Sequence, residues 1–190
     1  MEEFEIKFLE VNVPELEKKL LEIGAKKINE YNYFVVLFDY PDWRLDKDHS
    51  WLKLRTDGKE TTLSYKERIG IKADNNLKDE GMTEIEIVVS DYKKTYELLK
   101  SIGFIIKREM EKRRVRYEKD SAVFDIDFWP RIPPFVEVEA DSLENAKKAA
   151  ILTGFDPKNG LICSASAVYA KYGINPNDYF SMTFKEFIKK

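Results

Sequence analysis

Two periods alternate along the chain and separate its elements. Apolar residues at every second position predict a strand, and apolar residues every three to four positions predict a helix. EFEIKFLEV at the start puts Phe4, Ile6 and Phe8 on one face and Glu3, Glu5, Lys7 and Leu9 on the other, a strand with one apolar and one charged side. A helix is expected over about 14–23, with Pro14 in its first turn, Leu16, Leu20 and Ile23 as its apolar stripe, and Gly24 at its C-terminal cap. Further strands are expected at INEYNYFVVLFDY, WLKLR and TTLSYKER, the last two joined through Asp57 and Gly58, a two-residue hairpin signal. IGIKADNNLKDEG is polar and turn-rich and predicts a mobile loop. MTEIEIVV then returns to strand with Glu84 and Glu86 on one face, followed by a helix over about 91–102 that ends at Gly103. FIIKREMEKRRVRYE, SAVFDIDF and FVEVEA complete the strands, and a helix over about 142–152 starts at Ser142 as N-cap and stops before Gly154. SASAVYAKYG and SMTFKEFIKK read as two short outer helices.

A Glu-x-Glu strand followed by a glycine-closed helix recurs three times: Glu3/Glu5 to Gly24, Glu84/Glu86 to Gly103, and Glu137/Glu139 to Gly154. The first two copies are each followed by basic-faced strands, so the chain reads as two pseudo-equivalent halves. No Gly/Ser linker or change of composition divides them. The expectation is one merged domain over residues 1–175, with a helical tail over 176–190 packed on it.

Composition narrows the function. Of 190 residues 43% are apolar and 35% charged, enough to build a core and unlike a disordered chain. The net charge of −3 offers no general attraction to nucleic acid or an anionic membrane, so phosphate recognition has to be local. No apolar run approaches the ~20 residues of a membrane span, and MEEFEIK lacks the features of a signal peptide. These set the expectations of no nucleic-acid partner, no membrane and a cytoplasmic location. A single Cys163 and a single His49 exclude an internal disulfide and a structural zinc site, and leave little room for a histidine-based nucleophile triad.

Strand alternation gathers an unusual charged face: Glu3, Glu5, Lys7, Lys53, Arg55, Lys66, Arg68, Glu84, Glu86, Lys112, Arg114, Arg116, Asp125, Asp127, Glu137 and Glu139. Two arrangements accommodate it. The sheet can be open with this face in water, its cross-strand ion pairs contributing little; or it can close on itself and line an interior with charge. The signs are segregated by strand, acids on some and bases on others. Enclosed rows of that kind are satisfied together by a ligand carrying both signs, such as a polyphosphate with divalent cations.

In order along the chain, Glu3-x-Glu5-x-Lys7, Lys53-Leu-Arg55, Lys66 in SYKE, Glu84-Ile-Glu86, Lys112-x-Arg114 with Tyr117, Asp127, and Phe135-Val-Glu137-Val-Glu139 resemble the CYTH family of triphosphate tunnel enzymes. That family includes class IV adenylyl cyclases, thiamine triphosphatases and inorganic triphosphatases. The resemblance runs from residue 3 to about 173. It departs from the family pattern at Ile132-Pro133-Pro134 and at Lys53, where arginine is common and a lysine gives up bidentate geometry.

The resemblance implies an α+β fold: a closed eight-stranded antiparallel β-barrel with helices outside. It implies Mg²⁺ or Mn²⁺ held by Asp127, Glu137 and Glu139 with help from Glu3 and Glu5. A triphosphate-bearing small molecule would be bound by Lys7, Lys53, Arg55, Lys66, Arg68, Glu84, Glu86, Lys112 and Arg114, with Glu5, Lys7 and Lys66 at the reacting group. Asp125 is the weaker acidic candidate, and Tyr117 falls to the apolar side as a core residue. Hydrolysis of inorganic, nucleoside or thiamine triphosphate is the favoured activity. Cyclisation of ATP to cyclic AMP and pyrophosphate is the alternative, and a non-catalytic polyphosphate or nucleotide sensor is the reading of another class. The resemblance and the apolar strand faces are compatible with a homodimer.

Overall fold

A computed structural model describes residues 4–68 and 82–190. In chain order the strands are β1 (Phe4–Phe8), β2 (Lys26–Asp39), β3 (Ser50–Thr56), β4 (Thr61–Arg68), β5 (Met82–Val88), β6 (Ile105–Lys119), β7 (Ala122–Phe128), β8 (Phe135–Ala140), β9 (Tyr179–Met182) and β10 (Phe187–Lys189). The helices are α1 (Val13–Glu22), α2 (Arg44–Lys47), α3 (Tyr92–Ser101), α4 (Leu143–Leu152) and α5 (Ala165–Lys171). The three expected amphipathic helices form within a residue or two of their sequence signals. Asn12, Asp91 and Ser142 each accept a backbone N–H in the first turn of α1, α3 and α4, and Gly24, Gly103 and Gly154 follow in the left-handed conformation.

The described residues form two compact units, and the long strands β2 and β6 contribute to both. One unit comprises residues 4–31 and 113–175. Its strand order is β1-β8-β7-β6, all antiparallel, with β2 beside β6. The apolar sides of these strands, Ile6, Phe8, Val115, Tyr117, Phe124, Ile126, Val136 and Val138, pack under Leu16 and Leu20 of α1 and Ala146, Ala149 and Ala150 of α4. The small alanines of α4 bring that helix close to the sheet, which leaves the polar side of the same strands to carry charge. Tyr117 is a core residue, as its parity predicts; burial first, then its bond to Glu17, pushes its phenol up to about 12.

The other unit comprises residues 32–112 and 176–190. Here the order is β6-β2-β3-β4-β5. Leu99 of α3 covers Val36, Phe38 and Leu54, with Phe34, Leu52, Leu63, Tyr92, Tyr96, Phe104 and Ile106 around them. The Asp57–Gly58 signal produces a longer turn than the two residues expected: β3 ends at Thr56, β4 begins at Thr61, and Asp57 Oδ1 accepts from the N–H groups of Lys59 and Glu60.

Three expectations are corrected. Neither β1 nor β5 has a second strand on its outer side among the described residues, so the strands do not close into the expected eight-stranded barrel; the fold is an antiparallel sheet with helices, α+β. The outer edge of β1 is taken instead by Leu161, which exchanges both backbone hydrogen bonds with Lys7 at 2.9 Å. Gly160 permits that approach, because a Cβ there would collide with the Ile6 side chain. The tail is not helical: 176–178 is a single 3₁₀ turn, and SMTFKEFIKK contributes to the β9–β10 hairpin, with β9 running parallel to β6 at Glu109 and Met110. Finally, Ile85 and Ile87, expected beneath helices, are 68% and 53% exposed. The loop expected over residues 69–81 lies outside the described residues, as does Glu3. Among the described residues no helix is long and apolar enough to cross a membrane.

Candidate functional site

Each unit carries its own charged cluster, and the two differ in sign balance. In the unit of 4–31 and 113–175, strand register sets the polar sides of β1, β8, β7 and β6 in rows: Lys7 opposite Glu137, Glu137 opposite Asp125, Asp125 opposite Arg116, and Arg114 opposite Asp127. Arg114 is the hub. Its Nε and Nη2 donate to the two oxygens of Asp127 at 2.6 Å, Nη2 also donates to Glu137 Oε2 at 2.6 Å, and Nη1 donates to Asp125 Oδ2 at 2.5 Å. Arg116 closes the far side by donating to both oxygens of Asp125 at 2.8 and 2.7 Å. A guanidinium suits this position because its planar fork serves several carboxylates at once.

Lys7 is only 2% exposed, donates to Glu5, and lies 3.3 Å from Glu137 Oε1. Burial pulls its ammonium down, but Glu137 and Glu5 outweigh this and hold it above its ordinary value. Glu5 responds oppositely. Although 32% of its side chain reaches solvent, burial among these groups and the charge of Glu137 raise its carboxyl against the pull of Lys7 and Arg114.

Glu139 stands one register step on, opposite Glu5 of β1 and Val123 of β7. Acids outnumber bases in this cluster, and all the donors are hard oxygens. Charge and chemistry therefore fit a divalent cation of the Mg²⁺ or Mn²⁺ kind. In this arrangement Arg114 and Lys7 supply the positive charge between the carboxylates, and among the described residues no group of three or more acidic, histidine or cysteine side chains is arranged to hold a metal ion.

The second cluster lies in the unit of 32–112 and 176–190, on the polar sides of β3, β4 and β5. Lys66 Nζ donates to Glu84 Oε2 at 2.6 Å, and Lys53 Nζ lies 3.6 Å from Glu84 Oε1. Arg55 reaches Glu86 at 3.4 Å and lies over the Tyr33 ring, as does Lys112. Arg68 at the end of β4 lies over Trp51. Burial would raise Glu84, but the bond from Lys66 and the charge of Lys53 hold it below the usual carboxylate range. Bases outnumber acids here. Burial first, then Lys66, Arg55 and Lys112, push the Lys53 ammonium down to about 7, with Glu84 opposing.

Lys53 has a measurable consequence. Its folded value lies below the ordinary value near 10.5, so between about pH 7 and 10.5 the unfolded chain binds more protons than the folded one, and this group makes stability rise with pH across that window. Urea denaturation at pH 7 and pH 9 is expected to show wild type gaining about 1–2 kcal/mol relative to Lys53→Met. A flat or opposite difference would contradict the assignment.

The structure thus brings Glu5, Lys7, Arg114, Asp127 and Glu137 together, and separately Lys53, Arg55, Lys66, Lys112, Glu84 and Glu86. Asp125, ranked low from its position in the sequence, is bound by two arginines. Its strand parity was the available signal. Lys107 and Arg108, buried and bonded to Asp46 and Asn177, carried no such signal, because they are consecutive in the strand yet both inside.

The CYTH domain model matches residues 1–156, and the chain belongs to that family. Among solved structures, a protein of Pyrococcus horikoshii is 24% identical, covering 85% of this chain and 94% of its own, with a TM-score of 0.68. A candidate adenylate cyclase of Vibrio parahaemolyticus is 15% identical over 90% of this chain and 98% of its own, with a TM-score of 0.74. A candidate adenylyl cyclase of Hippeastrum with dominant triphosphatase activity is 16% identical over 94% of this chain and 99% of its own, with a TM-score of 0.62. These likenesses show a shared fold. No curated protein matches the chain.

Proposed function

We propose that this chain is a triphosphate-processing enzyme, and a phosphohydrolase in preference to a cyclase. The observation that carries the reading is the base-rich face of β3 and β4. Lys53, Arg55, Lys66 and Lys112 crowd together beyond what Glu84 and Glu86 neutralise, so far that Lys53 is pushed toward neutrality. A polyanion relieves that crowding. Family membership and the structural likeness to a protein with triphosphatase activity point the same way.

In this reading Lys53, Arg55, Lys66, Arg68 and Lys112 take phosphoryl oxygens and stabilise charge that grows on them as a phosphoryl group transfers. In the other unit Lys7 and Arg114 are fixed positive charges held by buried carboxylates, and Glu5 lies against Lys7. Hydrolysis forms a bond from the water oxygen to the terminal phosphorus and breaks that phosphorus's bond to the bridging oxygen. The electron pair leaves with the diphosphate, and the water proton is released. Asp127, Glu137 and Glu139, with Glu5, would hold a Mg²⁺ or Mn²⁺ ion, which when bound supplies charge neutralisation and lowers the pKa of water. Hydrolysis is preferred because it needs only groups that hold phosphoryl oxygens and a water, whereas cyclisation also needs a pocket that orients a ribose.

The test is incubation with tripolyphosphate, ATP and thiamine triphosphate in Mg²⁺ or Mn²⁺, resolved by ³¹P spectroscopy. Orthophosphate from a terminal group is the expected product, with turnover lost in excess EDTA. Cyclic nucleotide with pyrophosphate would replace hydrolysis by cyclisation. Binding without product under either ion would make the chain a sensor, and undiminished turnover in EDTA would remove the metal.

A further inference from the structure

Two side chains of the base-rich face are not accounted for by its ion pairs. Thr62 and Ser64 lie on central strand β4, 4% and 0% exposed, with their hydroxyls buried and without a hydrogen-bond partner among the described residues. Register fixes their surroundings: Thr62 stands between Arg55 of β3 and Val88 of β5, and Ser64 between Lys53 and Glu86. Ser64 is near enough to Glu84 to help hold that carboxyl low, yet forms no hydrogen bond of good geometry with it. Buried polar groups are nearly always bonded, so two successive exceptions on one face call for a ligand.

We propose that the Thr62 and Ser64 hydroxyls are neutral hydrogen-bond donors to phosphoryl oxygens of the triphosphate, completing the anion site that Lys53, Arg55 and Lys66 begin. The inference rests on the proposed function and extends it to residues that carry no charge. A hydroxyl suits this place physically. It donates to an oxygen that can only accept, and adds no further positive charge where cations already crowd one another. Two acids face this row: Glu86, opposite Ser64, is offset by Arg55, and Glu84 by Lys53 and Lys66, so neither opposes an incoming anion with a full charge.

The variants are Thr62→Val and Ser64→Ala, singly and together, with Thr62→Ser as the variant that restores the hydroxyl. Calorimetric titration with tripolyphosphate is expected to show Kd raised about 3–10-fold by each single change and about 10–50-fold by both, with Thr62→Ser recovering most of the affinity. The melting temperature without ligand is expected to hold or rise, because an unpaired buried hydroxyl is removed. A purely structural hydroxyl predicts the reverse: a lower melting temperature and unchanged Kd. Wild type that binds while the variants stay within twofold of it overturns this inference and leaves the proposed function standing. Wild type that binds none of tripolyphosphate, ATP and thiamine triphosphate overturns both; where only ATP or thiamine triphosphate binds, that ligand replaces tripolyphosphate in the same comparison. If the double variant does not fold, the single variants decide the question by the same readings.

Discussion

Replacing Arg114 by methionine is expected to lower the unfolding free energy by about 3–5 kcal/mol at pH 7, and the melting temperature by roughly 10 °C. The reason lies in what remains. Asp125, Asp127 and Glu137 all accept from this one guanidinium, and the first two are 1% and 0% exposed. Methionine fills much of the volume but takes away the two bonds that Arg114 gives Asp127, and it leaves Asp125 to Arg116 and Glu137 to Lys7, so buried negative charge exceeds the positive charge beside it. The cost therefore comes from orphaned charge more than from the lost ion pairs themselves. A further result follows: adding Asp127→Asn to Arg114→Met should recover part of the deficit. A loss below about 1 kcal/mol in denaturant titration would mean that Arg114 is not the hub of this unit.

Glu137→Gln is expected to leave the fold in place and to reduce tripolyphosphate turnover by about 100-fold or more. The amide still accepts a hydrogen bond from Arg114, so the stability cost should be well below that of the arginine change. What it removes is the charge that both holds Lys7 as a buried cation and, in the proposed function, holds the divalent ion. Lys7 keeps Glu5, and Arg114 keeps Asp125 and Asp127, so the geometry survives while the electrostatics do not. Circular dichroism checks the fold, and initial rates by ³¹P spectroscopy at fixed Mn²⁺ check the chemistry. Turnover within threefold of wild type would remove Glu137 from the site.

Much of this was legible in the sequence for a simple reason. A strand has a period of two, so parity alone assigns each side chain to a face, and the charged and apolar faces of β1, β3, β4, β6, β7 and β8 follow from counting. The same arithmetic missed where parity is broken or where a face has no cover. Consecutive Lys107 and Arg108 are both buried, and Ile85 and Ile87 sit on the apolar side of β5 yet remain exposed. SMTFKEFIKK reads as a short amphipathic helix. It forms a strand and hairpin instead because β6 offers an edge at Glu109 and Met110, a tertiary partner that local propensity does not contain.

By itself the sequence determined the elements, their amphipathic faces, the βα repeat and the family, because each depends on residues close together in the chain. Tertiary structure alone decided how the repeats are used. Each compact unit takes β1 or β5 with its helix from one repeat and strands from the other, so Lys7 near the start of the chain meets Glu137 of β8, which Arg114 of β6 also binds. It also decided that Leu161 pairs with the outer edge of β1, where no strand lies among the described residues, and that Lys53 is crowded enough to be pushed toward neutrality. Those outcomes depend on long-range pairing and on burial, which fix distances and local dielectric, and neither quantity is written in the spacing of residues along a strand.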